Sequence, residues 1–136
     1  MVQLRSKLQV LDNSGAKVAR RIQVKGVMKR AGHVGRRVVA SVIKATPEST
    51  IKKGSVIRGY LTTSVFGISR RNGMKVRFPE NGIVLVNKKL EPVASRVTTA
   101  MPSDLRSRGR GKRLTLTSTV ASGAAIMNTV VCLTLD

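Results

Sequence analysis

The sequence is poor in acidic residues, aromatic residues, cysteine and histidine. Its 136 residues include 6 Asp and Glu against 26 Lys and Arg, which gives a formal net charge of +20. A chain with this balance repels itself in the compact state unless a polyanion neutralises it. The charge therefore argues against an ordinary metabolic enzyme and predicts an acidic partner, for which nucleic acid fits best.

The scarcity of reactive side chains excludes several kinds of site. One cysteine, Cys132, cannot form an internal disulfide, and it lies in a Val/Leu run typical of a core residue. One cysteine and one histidine, His33, are too few for a structural zinc site, which needs about four ligands. The six acids lie near predicted turns or chain ends, and no two are spaced like a general acid and base. We predict no catalytic residue, no metal and no cofactor.

Long apolar runs are also lacking. The best candidate, 114–135, is repeatedly interrupted by Ser, Thr and Asn, and the first ten residues lack the apolar region of a secretory signal. A protein of the membrane surface would need a basic amphipathic helix, whereas the basic clusters here lie in predicted turns and strands. We expect no membrane partner.

Positive charge is concentrated in three segments that contain no acid, 13–47, 49–79 and 106–113. A solvated face would explain one such cluster, but three of them favour a polyanion. The last cluster has the form RGRGK, which superficially resembles a phosphate loop. Because no strand-to-helix context surrounds it, a flexible RNA-contacting arm is the better interpretation.

Hydrophobic patterning predicts an all-β fold. Alternating or β-branched stretches predict strands over 3–10, 18–24, 34–45, 55–66, 74–78 and 83–87. Short strands separated by Gly/Asn turns favour a small closed barrel, which leaves no open sheet edge. A short helix is expected after Met101, with Ser103 as its N-cap.

Two turns and one inner face can be assigned. The sequence 12–15 (DNSG) is a dense turn signal, in which Asp12 either caps the turn, the interpretation we favour, or has a functional role. The pair 72–73 (NG) predicts a two-residue hairpin that joins 55–66 to 74–78. In the first strand Leu4, Leu8 and Val10 are expected to face the core.

The small number of aromatic residues limits the mode of RNA binding. Tyr60, Phe66 and Phe78 cannot supply the stacking platforms that single-strand binders use. Contacts of Lys and Arg with phosphate and 2′-hydroxyl groups remain, and these read the shape of folded RNA. His33, in a Gly-rich basic loop, either contacts phosphate or faces solvent.

Several collinear motifs resemble the universal large-subunit ribosomal protein L-fourteen family. The first is DNSGAK at 12–17 after an N-terminal strand; the others lie at 33–35, 38–45, 51–56, 70–73, 77–78, 81–87, 91–92, 95–96 and 104–106. The resemblance covers about residues 1–106. It implies a five-stranded β-barrel followed by a C-terminal lobe with short helices.

The resemblance also implies a function and partners. Such a protein is a structural constituent of the large ribosomal subunit, where it binds large-subunit rRNA at the subunit interface. There it touches small-subunit rRNA in an intersubunit bridge and neighbours a protein of the L-nineteen family. In bacteria and mitochondria the same face receives a ribosome-silencing factor. No enzymatic activity is implied.

Motif by motif, the loops at 69–71 and 29–30 become the leading rRNA contacts. Together with the other basic clusters, the predicted rRNA-binding residues are Lys17, Lys29, Arg30, His33, Arg36, Arg37, Lys52, Lys53, Arg70, Arg71, Arg108, Arg110, Lys112 and Arg113. The predicted surface for the subunit interface and the silencing factor comprises Ser95, Arg96 and Arg106.

The sequence departs from the family pattern in three places. Arg36 stands where the family usually has Asp, and the usual basic stretch before the hairpin appears as TSVF at 63–66. Beyond residue 106 a basic arm and an apolar tail (107–136) replace the usual short ending, so we divide the chain into 1–106 and 107–136. The tail either adds strands at 113–120 and 128–135 or packs against a neighbouring protein.

Two questions remain, which kind of ribosome contains the protein and whether it belongs to a ribosome at all. The tail and the high charge favour a mitochondrial ribosome over a bacterial or plastid one. A free-standing RNA-binding barrel, acting as a chaperone or translation factor, would share the charge but would not need the collinear motifs.

Overall fold

The barrel predicted from the sequence is present. The computed structural model describes residues 1–25, 31–102 and 105. The strands in these ranges are β1 (Lys7–Val10), β2 (Ala16–Val24), β3 (Arg37–Ala45), β4 (Val56–Thr63), β5 (Ile68–Ser69), β6 (Lys75–Val76) and β7 (Gly82–Leu85). Five of them close into a barrel in the order β1-β2-β3-β4-β7, and the parallel pair β1–β7 completes the ring. The all-β, five-stranded barrel is therefore confirmed.

The barrel interior is filled by aliphatic side chains. Leu8, Val38, Leu61, Ile83 and Leu85 are almost completely buried. In β3 buried residues alternate with less buried ones, because successive side chains of a strand point to opposite faces. The aliphatic core is consistent with a chain that has only one Tyr, two Phe and no Trp.

Two predicted strands begin several residues later than expected. The strand predicted at 3–10 begins at Lys7, and that predicted at 34–45 begins at Arg37. Arg5 (φ 64°) and Gly35 (φ 83°) have left-handed backbones, which a strand cannot include. The expectation that Leu4 faces the core is consequently wrong: this side chain is 59% exposed. Leu8 is buried as predicted, and Val10 is half-buried against the core.

The hairpin predicted at 72–73 exists, but it joins different strands. Its arms are β5 and β6, which form a small sheet separate from the barrel, and the strand predicted at 55–66 ends at Thr63. The Gly73 amide donates to the Arg70 carbonyl (3.2 Å), and the Arg70 amide donates to the Met74 carbonyl (2.9 Å). Gly73 has φ 83°, whereas Asn72 has no positive φ. The loop is therefore longer than the predicted two-residue turn, in which both central residues need φ > 0.

The N-terminal segment is fastened to the barrel by a buried arginine. Val2 pairs with Gly32 through two backbone hydrogen bonds (2.9 and 2.8 Å). Arg21, on β2, is only 3% exposed, and its Nη1 donates to the Val2 carbonyl at 2.5 Å. Burial lowers the pKa of the Arg21 guanidinium, although an arginine remains charged in a protein. Arg21, one of the cations in the basic segment 13–47, therefore stabilises the fold.

The predicted C-terminal features lie outside the described residues. These features are the helix capped by Ser103, the basic arm, the two tail strands and the core position of Cys132. In the parts of the chain that the structure describes, no helix is long and apolar enough to cross a membrane.

Candidate RNA-binding surface

Asp12 organises the turn between β1 and β2. The residue is 7% exposed, and its Oδ1 accepts hydrogen bonds from the Ser14 amide (3.1 Å) and the Ser14 hydroxyl. Its Oδ2 accepts from the Leu85 amide on β7 at 2.8 Å. The turn-capping role expected from the sequence is confirmed. The bond to β7 also ties the turn after β1 to the neighbouring strand of the barrel, which the local sequence does not indicate.

Asn13, the next residue, joins this turn to the segment that contains Ser95 and Arg96. The Asn13 Nδ2 donates to Ser95 Oγ at 3.3 Å, and the Arg96 amide donates to Asn13 Oδ1 at 3.2 Å. The Asn13 amide in turn donates to the Arg96 carbonyl at 3.2 Å. Two motifs more than 80 residues apart therefore form one surface, on which Ser95 and Arg96 are both exposed. Arg106, the third residue predicted here, lies outside the described residues.

Gly15 brings a lysine-bearing loop onto the same end of the barrel. The Thr46 amide donates to the Gly15 carbonyl at 2.8 Å, so the loop 46–55 rests on the turn before β2. Gly15 has φ 88°, and a Cβ at this position would overlap the Cβ of Ser49. Glycine suits this position because it adopts a positive φ without strain and has no Cβ to overlap Ser49. The exposed side chains of Lys17, Lys52 and Lys53 therefore belong to one end of the barrel.

His33, Arg36 and Arg37 lie at the opposite end. They come just before or at the start of β3, whereas the loop 46–55 follows its last residue. The Gly35 amide donates to the Leu61 carbonyl (2.7 Å), and the Leu61 amide donates to the Arg36 carbonyl (3.0 Å). The three side chains are exposed on a backbone held against β4. The structure therefore divides the predicted contacts between two ends of the barrel.

The β5–β6 hairpin carries a third group of cations. Arg71 is exposed at its tip, and Arg70 beside it is half-buried. Near the base, the Lys75 ammonium lies 4.6 Å from the centre of the Phe66 ring, close enough for a cation–π interaction. Phe66 itself is 52% exposed. The hairpin therefore presents its cations on a unit outside the barrel sheet.

The remaining predicted rRNA contacts lie outside the described residues. These residues are Lys29, Arg30, Arg108, Arg110, Lys112 and Arg113. Conversely, the structure brings together Lys25, Arg37, Arg58 and Lys88, of which only Arg37 was predicted. The four are far apart in the chain, and only the register of the barrel strands makes them neighbours.

The outer wall of the barrel also places like charges opposite each other. Lys7 on β1 pairs directly with Arg20 on β2, and both side chains are exposed. Like charges in directly opposed positions of an antiparallel pair destabilise the sheet. This arrangement is unfavourable for a protein in dilute salt and becomes tolerable when counterions or a polyanion screen it.

Comparison with known proteins shows the family. A family model described as Ribosomal protein L14p/L23e matches residues 1–121, which is most of the chain. The chain belongs to this ribosomal protein family. The resemblance drawn from the DNSGAK turn and the collinear motifs is thereby confirmed. The matched region runs past residue 106, so it includes the first fifteen residues of the segment that the sequence set apart as a divergent tail.

A curated relative in the same family is bacterial. The chain is 40% identical over 121 residues to the large ribosomal subunit protein uL14 of Petrotoga mobilis, an alignment that covers 88% of this chain and 99% of that protein. The tail and the high charge favoured a mitochondrial ribosome, but this bacterial relative does not support that prediction. Members of a ribosomal protein family are structural components, which agrees with the expectation of no enzymatic activity.

Proposed function

We propose that the chain is a structural constituent of the large ribosomal subunit that binds rRNA through its exposed cations. The observation that carries the proposal is the match to a ribosomal protein family over residues 1–121. The relative named as a large-subunit protein, aligned over nearly its whole length, assigns the subunit. A net charge of +20 on a small barrel gives the chemistry, because each phosphate that Lys or Arg neutralises releases counterions.

Three groups of cations, all exposed except the half-buried Arg70, are the proposed rRNA contacts. The group at the DNSGAK end contains Lys17, Lys52 and Lys53, and the group at the opposite end contains His33, Arg36 and Arg37. The hairpin tip supplies Arg70 and Arg71. Contacts of this kind fix the protein on folded RNA without reading bases. Cations on both ends and on the hairpin suit a barrel that is embedded among several RNA segments.

The Ser95–Arg96 surface is the proposed meeting point with other components of the ribosome. Asn13 holds this segment by both its side-chain atoms and its backbone, so the exposed side chains stand on a fixed backbone. A fixed surface loses little conformational entropy when a partner binds. We assign to it the intersubunit bridge with small-subunit rRNA, the neighbouring protein of the L-nineteen family and a ribosome-silencing factor.

Depletion of the protein in its own host, followed by complementation, tests this function. Loss of the chain is expected to lower the amount of large subunits and of whole ribosomes, and the wild-type gene to restore both. Complementation with Arg70→Glu and Arg71→Glu together is expected to restore them poorly. The double reversal Arg20→Glu with Lys44→Glu, outside the predicted contacts, is the control of equal charge change. Normal large-subunit levels after depletion would contradict the function, and full rescue by the hairpin variant would contradict that contact.

A further inference from the structure

We propose that a cleft on the barrel wall, lined by Lys25, Arg37, Arg58 and Lys88, grips a backbone phosphate of the rRNA. The inference rests on the proposed rRNA-binding function and adds a contact site to it. Three of these four cations, Lys25, Arg58 and Lys88, are not among the rRNA-binding residues predicted from the sequence. We call this site the four-cation cleft.

The four-cation cleft is assembled by backbone hydrogen bonds between separate elements. Lys25 directly follows β2, and its amide donates to the carbonyl of Arg37, the first residue of β3, at 2.9 Å. Arg58, on β4, lies opposite Val39 of β3. Its carbonyl accepts from the Val86 amide at 2.9 Å, which positions the loop that carries Lys88. The strand register and the loop after β7 therefore place four cationic residues around one cleft.

The loop that carries Lys88 contains a strained residue. Leu90, which also lines the cleft, has φ 69°, a left-handed conformation that is unfavourable for a bulky side chain. The loop is closed by hydrogen bonds from the Asn87 amide to the Glu91 carbonyl (2.9 Å) and from the Leu90 amide to the Asn87 carbonyl (3.0 Å). Strained backbone persists where the surrounding structure enforces it, and such positions cluster at binding sites. Here the two hydrogen bonds enforce the Leu90 conformation and hold the loop that carries Lys88 against the cleft.

The charge and size of the cleft identify its occupant as an anionic group of a larger molecule. Its lining residues include four cations and no acid, so the empty cleft repels itself. Its volume is about 50 Å³, far below the roughly 300–1,000 Å³ of small-molecule sites. Arg37 and Arg58 both line the cleft, and arginine binds phosphate in a bidentate fork, so a phosphate is the anion that suits this lining best.

RNA is a better source of that group than an acidic protein. The exposed cations of this chain are spread over both ends of the barrel, its wall and the hairpin, so they call for a partner charged along its whole length. A folded RNA presents phosphates at regular spacing in many directions, whereas an acidic peptide would cover one face. The four-cation cleft shares Arg37 with the group at the His33 end and extends that group along the barrel wall.

Binding of the full-length protein to deproteinised bacterial large-subunit rRNA, measured over a range of salt concentrations, tests the inference. The cleft variant is Arg58→Gln with Lys88→Gln. The matched control is Arg20→Gln with Lys89→Gln, which removes the same charges from exposed positions that do not line the cleft, one of them adjacent to Lys88. Thermal unfolding of each variant verifies that it is folded.

The cleft variant is expected to bind rRNA at least about tenfold more weakly, and the slope of log K against log salt to fall by about 1, as for one lost phosphate contact. The control is expected to change both quantities much less. Equal losses in the two variants, or unchanged binding by the cleft variant, would overturn the inference. A cleft variant that loses binding to polyglutamate but retains rRNA binding would also overturn it, in favour of an acidic protein. Failure of the wild-type chain to bind the rRNA would instead contradict the proposed function.

Discussion

The Asp12 carboxylate accepts a hydrogen bond of 2.8 Å from the backbone amide of Leu85, although 73 residues separate the two. Asp12 closes the turn after β1, and Leu85 ends β7, so this bond reinforces the parallel contact that closes the barrel. Leu85 is 1% exposed, so its amide is buried and Asp12 supplies its acceptor. The barrel closure therefore depends on a side chain as well as on strand pairing.

Replacement of Asp12 is expected to destabilise the barrel. Asp12→Ala leaves the buried Leu85 amide without its acceptor, which costs about 1–3 kcal/mol. Urea unfolding of the purified protein measures the change in the free energy of unfolding. Glu48→Ala, at an exposed position of the loop after β3, serves as the control and should change it by less than about 0.5 kcal/mol. Equal stability of the two variants would show that the Asp12–Leu85 bond does not stabilise the fold.

Two glycines with the same backbone conformation should respond differently to alanine. Gly15 (φ 88°) and Gly73 (φ 83°) both pay about 1–2 kcal/mol for a left-handed alanine. A Cβ on Gly15 also overlaps Ser49, whereas a Cβ on Gly73 meets nothing within 4 Å. Gly15→Ala should therefore cost about 1–3 kcal/mol more than Gly73→Ala in chemical denaturation. Equal costs would contradict the close packing of the loop 46–55 on the turn.

Arg21 and Arg20 are adjacent in the sequence, but only the replacement of Arg21 is expected to destabilise the protein. Arg21→Met removes the buried donor to the Val2 carbonyl and should cost about 1–3 kcal/mol in the free energy of unfolding. Arg20→Met at an exposed position is the matched control and should not destabilise the protein. Hydrogen exchange of the Gly32 amide, which pairs with Val2, should also become faster only in the Arg21 variant. A stable Arg21→Met protein with a protected Gly32 amide would refute this fastening role.

The cross-strand pair Lys7–Arg20 predicts a salt-dependent gain. Arg20→Gln removes a repulsion between directly opposed cations and should stabilise the protein by about 0.2–1 kcal/mol at low ionic strength. At 1 M salt the Debye length is about 3 Å, so the gain should largely disappear. Thermal unfolding of wild type and variant at the two salt concentrations measures this difference. A gain of the same size at high salt would mean that charge is not its cause.

The sequence was informative about the barrel because its strands are strongly patterned. The alternation in β3 and the β-branched run in β7 predict strands that the structure contains. The ends of strands were harder to locate, since the left-handed backbones at Arg5 and Gly35 interrupt stretches that are otherwise typical of strands. The prediction that the strand at 55–66 forms one arm of the hairpin was wrong, because the apolar pattern continues beyond Thr63, where β4 ends.

The site was only partly predictable, because a one-dimensional pattern does not reveal which cations meet. Motifs located the DNSGAK turn and the Ser95–Arg96 segment, but the Asn13 side chain that joins them becomes visible only in the fold. Arg20 and Arg21 are adjacent in one basic segment, and the sequence pattern did not show that Arg21 is buried while Arg20 is exposed. The four-cation cleft depends on strand register and on the left-handed Leu90, neither of which a local pattern encodes.

Sedimentation of a host-cell lysate on a sucrose gradient, with the fractions probed for this protein, tests the central claim most directly. We expect the protein to co-migrate with large subunits and whole ribosomes, and to remain there after a moderate-salt wash because many phosphate contacts hold it. Its absence from free small subunits would agree with the assigned subunit. A protein found mainly at the top of the gradient would contradict a structural role in the ribosome and would favour a free RNA-binding factor with the same fold.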